Sequence, residues 1–498
     1  MVEKRGNIFS GFVYKFFERV GVQGVSFVIS MLLARMLMPE EYGIIALVTV
    51  IITLLDVFIT YGFGNSLVVD RESSQTDFST CFYFSVSLSV AIYIFIFIFT
   101  PQLTEWLSYD TVTQTHKYDV ALLSKVIRLM ALHLPIAAVR SVQNAYVQKN
   151  MLFSMSFQAT LAGTIIAGVA AVIMAYNGAG VWALVAQYLG STLINTVALF
   201  LIVRWRPTAI FSFNRLKKIY QYGWKILCVG LLDVGYSQLR SLIIAKRYSA
   251  TDLAYYNKGY QFPATGMDFI ESTMNTVLFS ALSQHNDNKA EMAGITGKIV
   301  RVSTYVTFPI MMGLFIVAEP LVIFLLTDKW AFASRYLQIG CLALILRPLQ
   351  VINSCIIRSS GRSGLLLFLD IVKKGIGLIL LIVSVPYGVE AIAFSLVIIN
   401  IISTLINIIP SEKLVKYGLV KQIKDLIPNA IITILMGVPV YLINYLDCNN
   451  FLKLGLQVIV GILLYIALSI VTSNENFKYL FATIKRIIRS VTIERTSS

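Results

Sequence analysis

The residues best placed to do chemistry in this chain are charged side chains set inside long apolar runs. One stripe holds Lys15, Glu18, Arg19, Gln23, Ser26 and Ser30, and another Thr49, Thr53, Asp56 and Thr60. Asp233, Tyr236 and Arg240 form a third, and Lys258, Gln261, Thr265, Asp268, Glu271 and Asn275 a fourth. Arg347, Gln350 and Ser354 make a fifth, with Arg358 just beyond. Asp370 precedes Lys374 by one helical turn, and Lys373 is adjacent. Spacings of three, four and seven keep each set on one face of a helix. An ionised group in hydrocarbon costs about 2.5–3.5 kcal/mol, so such faces turn toward a bundle interior or a wet cavity. The chemistry they suit is binding. Arg19, Arg240, Lys258, Arg347, Lys373 and Lys374 are candidates for holding an anion in a cationic cavity. Glu18, Asp56, Asp233, Asp268, Glu271 and Asp370 are candidates for carrying a coupling proton or Na⁺, or for serving as structural counter-charges. Lys258 lies near a span end, where snorkelling is the alternative, and Asp370 with Lys374 also reads as a structural pair.

These charges stand out because the rest of the chain is apolar. Of 498 residues, 57% are apolar and 13% charged, about half the roughly 25% of a soluble domain. The mean hydropathy is +0.75, and the apolar residues fall in long blocks. That composition excludes a water-soluble globule and indicates an all-α polytopic membrane protein. At about 20 residues per crossing, helices are expected near 12–37, 44–64, 79–100, 120–146, 154–175, 180–203, 220–245, 255–281, 299–326, 334–357, 364–385, 387–410, 426–446 and 452–473, about fourteen in all. The longest connection, from Pro101 to Asp119, has 19 residues and leaves no room for a catalytic domain.

Orientation follows from the basic residues. With the N-terminus inside, 22 of the 41 Lys and Arg fall on the cytoplasmic side, 6 on the opposite side, and 13 within the spans. This is a strong positive-inside bias, so both termini are expected in the cytoplasm. The net charge of +15 is therefore mainly a topological signal, and no nucleic acid is expected as a partner. The basic tail from Asn474, with Phe477, Leu480, Phe481, Ile484, Ile487 and Ile488 on one side, is expected to lie on the membrane lipids. The N-terminus has no small-residue cleavage site after a short apolar region, so the first span is expected to be retained.

A weak internal echo suggests two related bundles. Leu33-Ala34-Arg35 matches Ile244-Ala245-Lys246 at an offset of 211, and Leu134-Pro135-Ile136 pairs with Arg347-Pro348-Leu349 at an offset of 213. The expected division is a six-helix bundle over 1–210, a second over 211–418, two additional helices over 419–473 and a basic tail over 474–498.

Signals for catalysis are missing from the sequence. Gly297-Lys298 is followed by Ile299 and preceded by Met292 where a phosphate-binding loop needs glycine. The five cysteines have no metal-ligand spacing, and the three histidines have no ligand constellation along the chain. No enzyme activity, cofactor or metal is expected.

Several motifs together resemble a known family. Glu18-Arg19-x-Gly21-x-Gln23 and Leu33-Ala34-Arg35-x-Leu37-x-Pro39-Glu40-Glu41-Tyr42-Gly43 are followed by Gly62-Phe63-Gly64-Asn65-Ser66-Leu67 and Gly180-Val181-Trp182-Ala183-Leu184-Val185. Leu253-Ala254-Tyr255-Tyr256-Asn257-Lys258-Gly259, Lys329-Trp330, Gly361-Arg362-Ser363 and Ile371-Val372-Lys373-Lys374 complete the set. Over about the first 430 residues the chain resembles the bacterial oligosaccharide repeat-unit flippases of the multidrug/oligosaccharidyl-lipid/polysaccharide exporter superfamily. Two departures are Phe279-Ser280-Ala281-Leu282-Ser283, without the usual proline, and Arg347 before Pro348 where an uncharged residue is usual.

The resemblance implies a carrier in the bacterial cytoplasmic membrane. It would turn an undecaprenyl-diphosphate-linked glycan from the inner to the outer leaflet by alternating access, for lipopolysaccharide, capsule or exopolysaccharide biosynthesis. A polymerase and a chain-length regulator are the implied protein partners. Cationic stripes suit a diphosphate, and Tyr236, Tyr256 and Tyr260 suit sugar rings. Export of an anion from an inside-negative cell gains about 2.3 kcal/mol per charge per 100 mV. A lipid II flippase and a cation-coupled multidrug antiporter are alternatives within the superfamily. A membrane polysaccharide polymerase is the alternative from another class.

Overall fold

A computed structural model of the chain describes residues 8–61, 64–69, 73–109, 115–284, 289–446, 449–479 and 482. Side chains are described from Gly21 onward apart from scattered positions, most of them between 269 and 289. Among the described residues the chain is helical, with no strand and one isolated bridge between Tyr109 and His116. It divides into two compact units, Met1–Ala254 and Tyr255–Ser498.

The first unit contains α1 (Ile8–Met36), α2 (Pro39–Thr60), α3 (Gly64–Val69), α4 (Gln75–Ser108), α5 (Val120–Met130), α6 (His133–Lys149), α7 (Phe153–Tyr176), α8 (Val181–Ile202) and α9 (Phe213–Arg247). Local sequence sets these boundaries. Pro39 stands in the first turn of α2, where a missing N–H breaks no helical bond, and Glu41 accepts from the Met38 N–H at 2.7 Å. Asp119 caps α5 by accepting from the Ala121 and Leu122 N–H groups at 2.9 and 3.1 Å. Gly180, at φ +56°, turns the chain into α8. Small residues bring α7 close to its neighbours: Ala159, Gly163, Ala167, Ala171 and Ala175 recur every four residues and are all buried.

Helix α10 (Ala250–Gln284) starts in the first unit and runs into the second, which continues with α11 (Lys289–Ile316), α12 (Ala318–Leu326), α13 (Ala333–Leu344), α14 (Arg347–Ser359), α15 (Ser363–Ser384), α16 (Val389–Val415), α17 (Leu419–Leu442) and α18 (Asn450–Val471). The last two helices are joined to α11 by polar contacts. Arg301 Nη1 reaches Asp425 Oδ1 at 2.8 Å, Asn429 Nδ2 donates to Thr304 Oγ1 at 2.9 Å, and the Tyr465 hydroxyl donates to the Tyr305 carbonyl at 2.6 Å.

Three spans expected to be continuous are broken. The breaks fall at Ala131–Leu132 between α5 and α6, at Val317 between α11 and α12, and at Ile345–Leu346 between α13 and α14. In each case a proline, Pro135, Pro320 or Pro348, sits in the first turn of the following helix. Those N–H positions have no intrahelical partner, so proline costs no helical hydrogen bond there.

Among the described residues, eleven helical stretches are long and apolar enough to cross a membrane. The other three expected spans coincide with α1, α10 and α15, helices of 29, 35 and 22 residues. Asp370, Lys373 and Lys374 lower the apolar character of α15, and Lys258, Asp268 and Glu271 that of α10. In α1 the described apolar stretch begins only at Gly21. The chain is a multi-pass membrane protein. Of the expected membrane-surface tail, Leu480, Phe481, Ile484, Ile487 and Ile488 lie outside the described side chains.

Candidate substrate and coupling sites

In the first unit charged residues on α2 and α6 meet polar residues of α8, and α9 carries a further buried cation. Asp56, in the last turns of α2, accepts from the Thr60 hydroxyl at 2.7 Å through Oδ2. Its Oδ1 is buried without a hydrogen-bond partner, 3.9 Å from His133 Nε2 on α6. The other His133 nitrogen, Nδ1, is 3.1 Å from the Thr192 hydroxyl on α8, and the ring lies 4.9 Å from that of Tyr188. Arg140, seven residues beyond His133 and on the same face, interacts electrostatically with Asp56 and Tyr188. Sequence reading missed this group because its members come from three helices and histidine was sought with metal-ligand spacing. The seven-residue step from His133 to Arg140 was the available signal.

Arg240 on α9 is the deepest candidate cation among the described residues, only 4% exposed. Its guanidinium lies 5.6 Å from the centre of the Tyr236 ring, one turn earlier, and its Nε and Nη2 have no hydrogen-bond partner. Asp233, on the same helix, is exposed. The side chains of Glu18 and Arg19 lie outside the described residues.

In the second unit the structure brings acids and bases together in pairs. Arg347, at the start of α14, donates from Nε to Glu271 Oε2 at 2.9 Å and from Nη2 to Oε1 at 3.3 Å. Its Nη1 donates to Gln350 Oε1 at 3.3 Å, and Gln350 Nε2 continues to the Asn400 carbonyl at 2.8 Å and the Thr404 hydroxyl at 3.2 Å on α16. One layer away, Lys373 Nζ contacts Asp370 Oδ1 at 2.6 Å and donates to Asn407 Oδ1 at 3.0 Å, while Asn407 Nδ2 donates to Ser354 at 3.3 Å. Asp370 is thus paired with Lys373, and Lys374 is half-buried on the same helix. Lys258 is buried on α10, and Asp268 on the same helix is exposed. A polar ladder therefore links α10, α14, α16 and α15, but its cations already have resident acceptors. An apolar groove of about 370 Å³ lies elsewhere in this unit, lined by Pro309, Gly313, Met436, Val440, Gly461 and Tyr465.

Known proteins share this architecture and sequence pattern. The profile of the family described as polysaccharide biosynthesis protein matches residues 32–335. The succinoglycan biosynthesis transport protein ExoT of Rhizobium meliloti is 22% identical over 327 residues, 66% of this chain. The match covers 64% of that protein, just under two thirds of its length. An uncharacterized membrane protein of the cps region of Klebsiella pneumoniae is 23% identical over 486 residues, covering 94% of this chain and 95% of that one. In fold, the chain is similar to the inward closed conformation of the lipid II flippase MurJ, with a TM-score of 0.76, 15% identity, and coverage of 93% of this chain and 98% of that one.

Proposed function

Because this chain belongs to the polysaccharide biosynthesis protein family, we propose that it is a flippase for a lipid-linked oligosaccharide. It carries an undecaprenyl-diphosphate-linked repeat unit from the cytoplasmic to the outer leaflet of the bacterial cytoplasmic membrane for surface polysaccharide biosynthesis. The observation that carries this reading is Arg240. Its guanidinium is buried within a span and leaves two nitrogens without acceptors. A buried charge without partners is costly, and a diphosphate supplies both the opposite charge and oxygens for the free N–H groups. A neutral or cationic cargo supplies neither. The name of the Rhizobium relative, a biosynthesis transport protein, supports transport rather than polymerisation. The apolar groove beside α18 suits a polyisoprenoid chain.

The cycle proposed is alternating access between the repeat-related bundles 1–210 and 211–418, with 419–473 as an added helix pair and 474–498 as a basic cytoplasmic tail. Lys258, Lys374 and Arg19 are assigned with Arg240 to the anion path, and Asp56, Asp233 and Asp268 to coupling. A polymerase and a chain-length regulator are the proposed protein partners. Both termini are assigned to the cytoplasm. Reporter fusions after residues 210 and 418 check the orientation, and an outside signal at either overturns it.

The functional test is translocation in proteoliposomes loaded with an undecaprenyl-diphosphate oligosaccharide, read by accessibility of the sugar to external periodate. Wild-type protein should expose the sugar on both faces, and Arg240→Ala should reduce that rate to the protein-free level. Equal rates for Arg240→Ala and wild type would overturn the assignment.

A further inference from the structure

We propose that Glu271 is a resident counter-anion, displaced from Arg347 by the substrate's diphosphate, and that this exchange removes the charged tie between α10 and α14. The proposal rests on the flippase reading above and assigns Glu271 a different role from the coupling acids.

The position of the pair sets the argument. Arg347 lies near the middle of the Ala333–Ser359 span, directly after the Ile345–Leu346 break that Pro348 stabilises. Two nitrogens along one edge of its guanidinium meet both Glu271 oxygens, at 2.9 and 3.3 Å. That fork is the geometry with which arginine also takes a phosphate. The carboxylate therefore occupies a ready-made phosphate-binding edge.

The pair is not sealed. The Arg347 and Glu271 side chains are 39% and 25% exposed. At mid-membrane, charged groups exposed to this degree face water or a polar ligand rather than acyl chains. A diphosphate carries more charge than one carboxylate and presents more acceptor oxygens, so it competes favourably for the same edge.

The two partners are held differently, which gives the exchange a direction. Arg347 Nη1 is tied to Gln350 at 3.3 Å, and Gln350 is anchored to the Asn400 carbonyl and the Thr404 hydroxyl on α16. These contacts keep the guanidinium in place when Glu271 leaves. Glu271 belongs to α10, so its departure removes a charged tie between α10 and α14. Binding of the cargo thereby becomes a change in which helices are held together. A purely structural ion pair has the same geometry but a different mutational sign, because loss of either partner then impairs binding.

The experiment uses the full chain in nanodiscs, with farnesyl diphosphate as probe and inorganic pyrophosphate as competitor. Glu271→Gln should tighten probe binding about tenfold, and Arg347→Lys, which keeps the charge but loses the fork, should weaken it about tenfold. Glu271→Asp provides a second, less perturbing variant with the same expected direction as Glu271→Gln. Pyrophosphate should displace the probe in every variant that binds it. Unchanged or weaker binding in both Glu271 variants, with wild-type binding intact, overturns the exchange and leaves the flippase reading standing. Failure of pyrophosphate to compete also overturns it, because the bound group is then the hydrocarbon chain. Wild-type protein that binds neither probe nor competitor overturns both readings together.

Discussion

Lys373 sets its ammonium 2.6 Å from the carboxylate of Asp370, one turn back on α15, and 3.0 Å from Asn407 Oδ1 on α16. The lysine side chain is 13% exposed and the aspartate 46%. The second acceptor, on a neighbouring helix, fixes the Lys373 ammonium from both sides. This asymmetry predicts unequal mutants. Lys373→Met strands Asp370 and Asn407 and should lower the unfolding temperature in detergent clearly. Asp370→Asn should cost only about 1 kcal/mol, because the carboxylate is half-exposed and Asn407 still holds the ammonium. Equal losses in the two variants would rule out Asn407 as the principal anchor.

Asp56 offers a separate test of coupling. Its Oδ1 is buried without a hydrogen-bond partner, and His133 Nε2 at 3.9 Å is too far to donate. An unsatisfied buried polar atom costs about 1–3 kcal/mol, more if charged. Asp56→Asn removes the charge that faces Arg140 and keeps the shape, so translocation should fall in a protein that still folds and reaches the membrane. A folded variant that transports at the wild-type rate would remove Asp56 from the coupling set.

Much of the fold was legible because hydrocarbon imposes a length and a composition on every crossing, and the apolar blocks record both. Charge-bearing stripes were legible for the same reason: Asp56, Arg240, Glu271 and Arg347 each stand out against their own helix. Their partners were not. Arg347 and Glu271 are 76 residues apart, and the Asp56–His133 approach joins α2 to α6. Nothing in helical spacing encodes such a meeting. Within one helix, spacing set Asp370 one turn before Lys374 with Lys373 adjacent, and the contact of Lys373 with an asparagine on another helix had no counterpart in that spacing. The helix breaks were marked by Pro135, Pro320 and Pro348, but each proline was hidden inside an apolar run that reads as continuous.

Gly259 on α10 is a packing residue whose replacement is predictable from its surroundings. A Cβ at this position would lie 2.3 Å from the Ala333 carbonyl oxygen and 2.8 Å from the Leu337 nitrogen. Both are backbone atoms, so α10 and α13 must separate to admit it. Gly259→Ala should destabilise by about 1–3 kcal/mol despite the better helix propensity of alanine. Gly266, two turns on, has nothing within 4 Å of a built Cβ. Gly266→Ala should instead gain about 0.5–1 kcal/mol. Thermal unfolding of the two variants side by side checks this, and a loss at Gly266 equal to that at Gly259 would refute the contact as the cause.

Tyr417 sits in the turn between α16 and α17, outside the membrane-spanning segments, and predicts how stability depends on alkaline pH. Its hydroxyl donates to Asp425 Oδ2 at 2.7 Å, and Asp425 also holds Arg301. Burial, followed by the hydrogen bond to Asp425 and its charge, raises the phenol well above its ordinary value of 10. In the unfolded chain this tyrosine loses its proton near pH 10, whereas the folded chain keeps it to higher pH. The native state therefore binds more protons above pH 10, and its stability falls as pH rises through that region. Below pH 10 the contribution is fully present. Tyr417→Phe removes the titrating group and one hydrogen bond. It should lower the unfolding temperature at pH 8 but narrow its difference from wild type as pH rises above the ordinary value of 10, where only the unfolded chain has lost the proton. A difference that stays constant through that rise would show that the Tyr417 phenol does not carry the linkage.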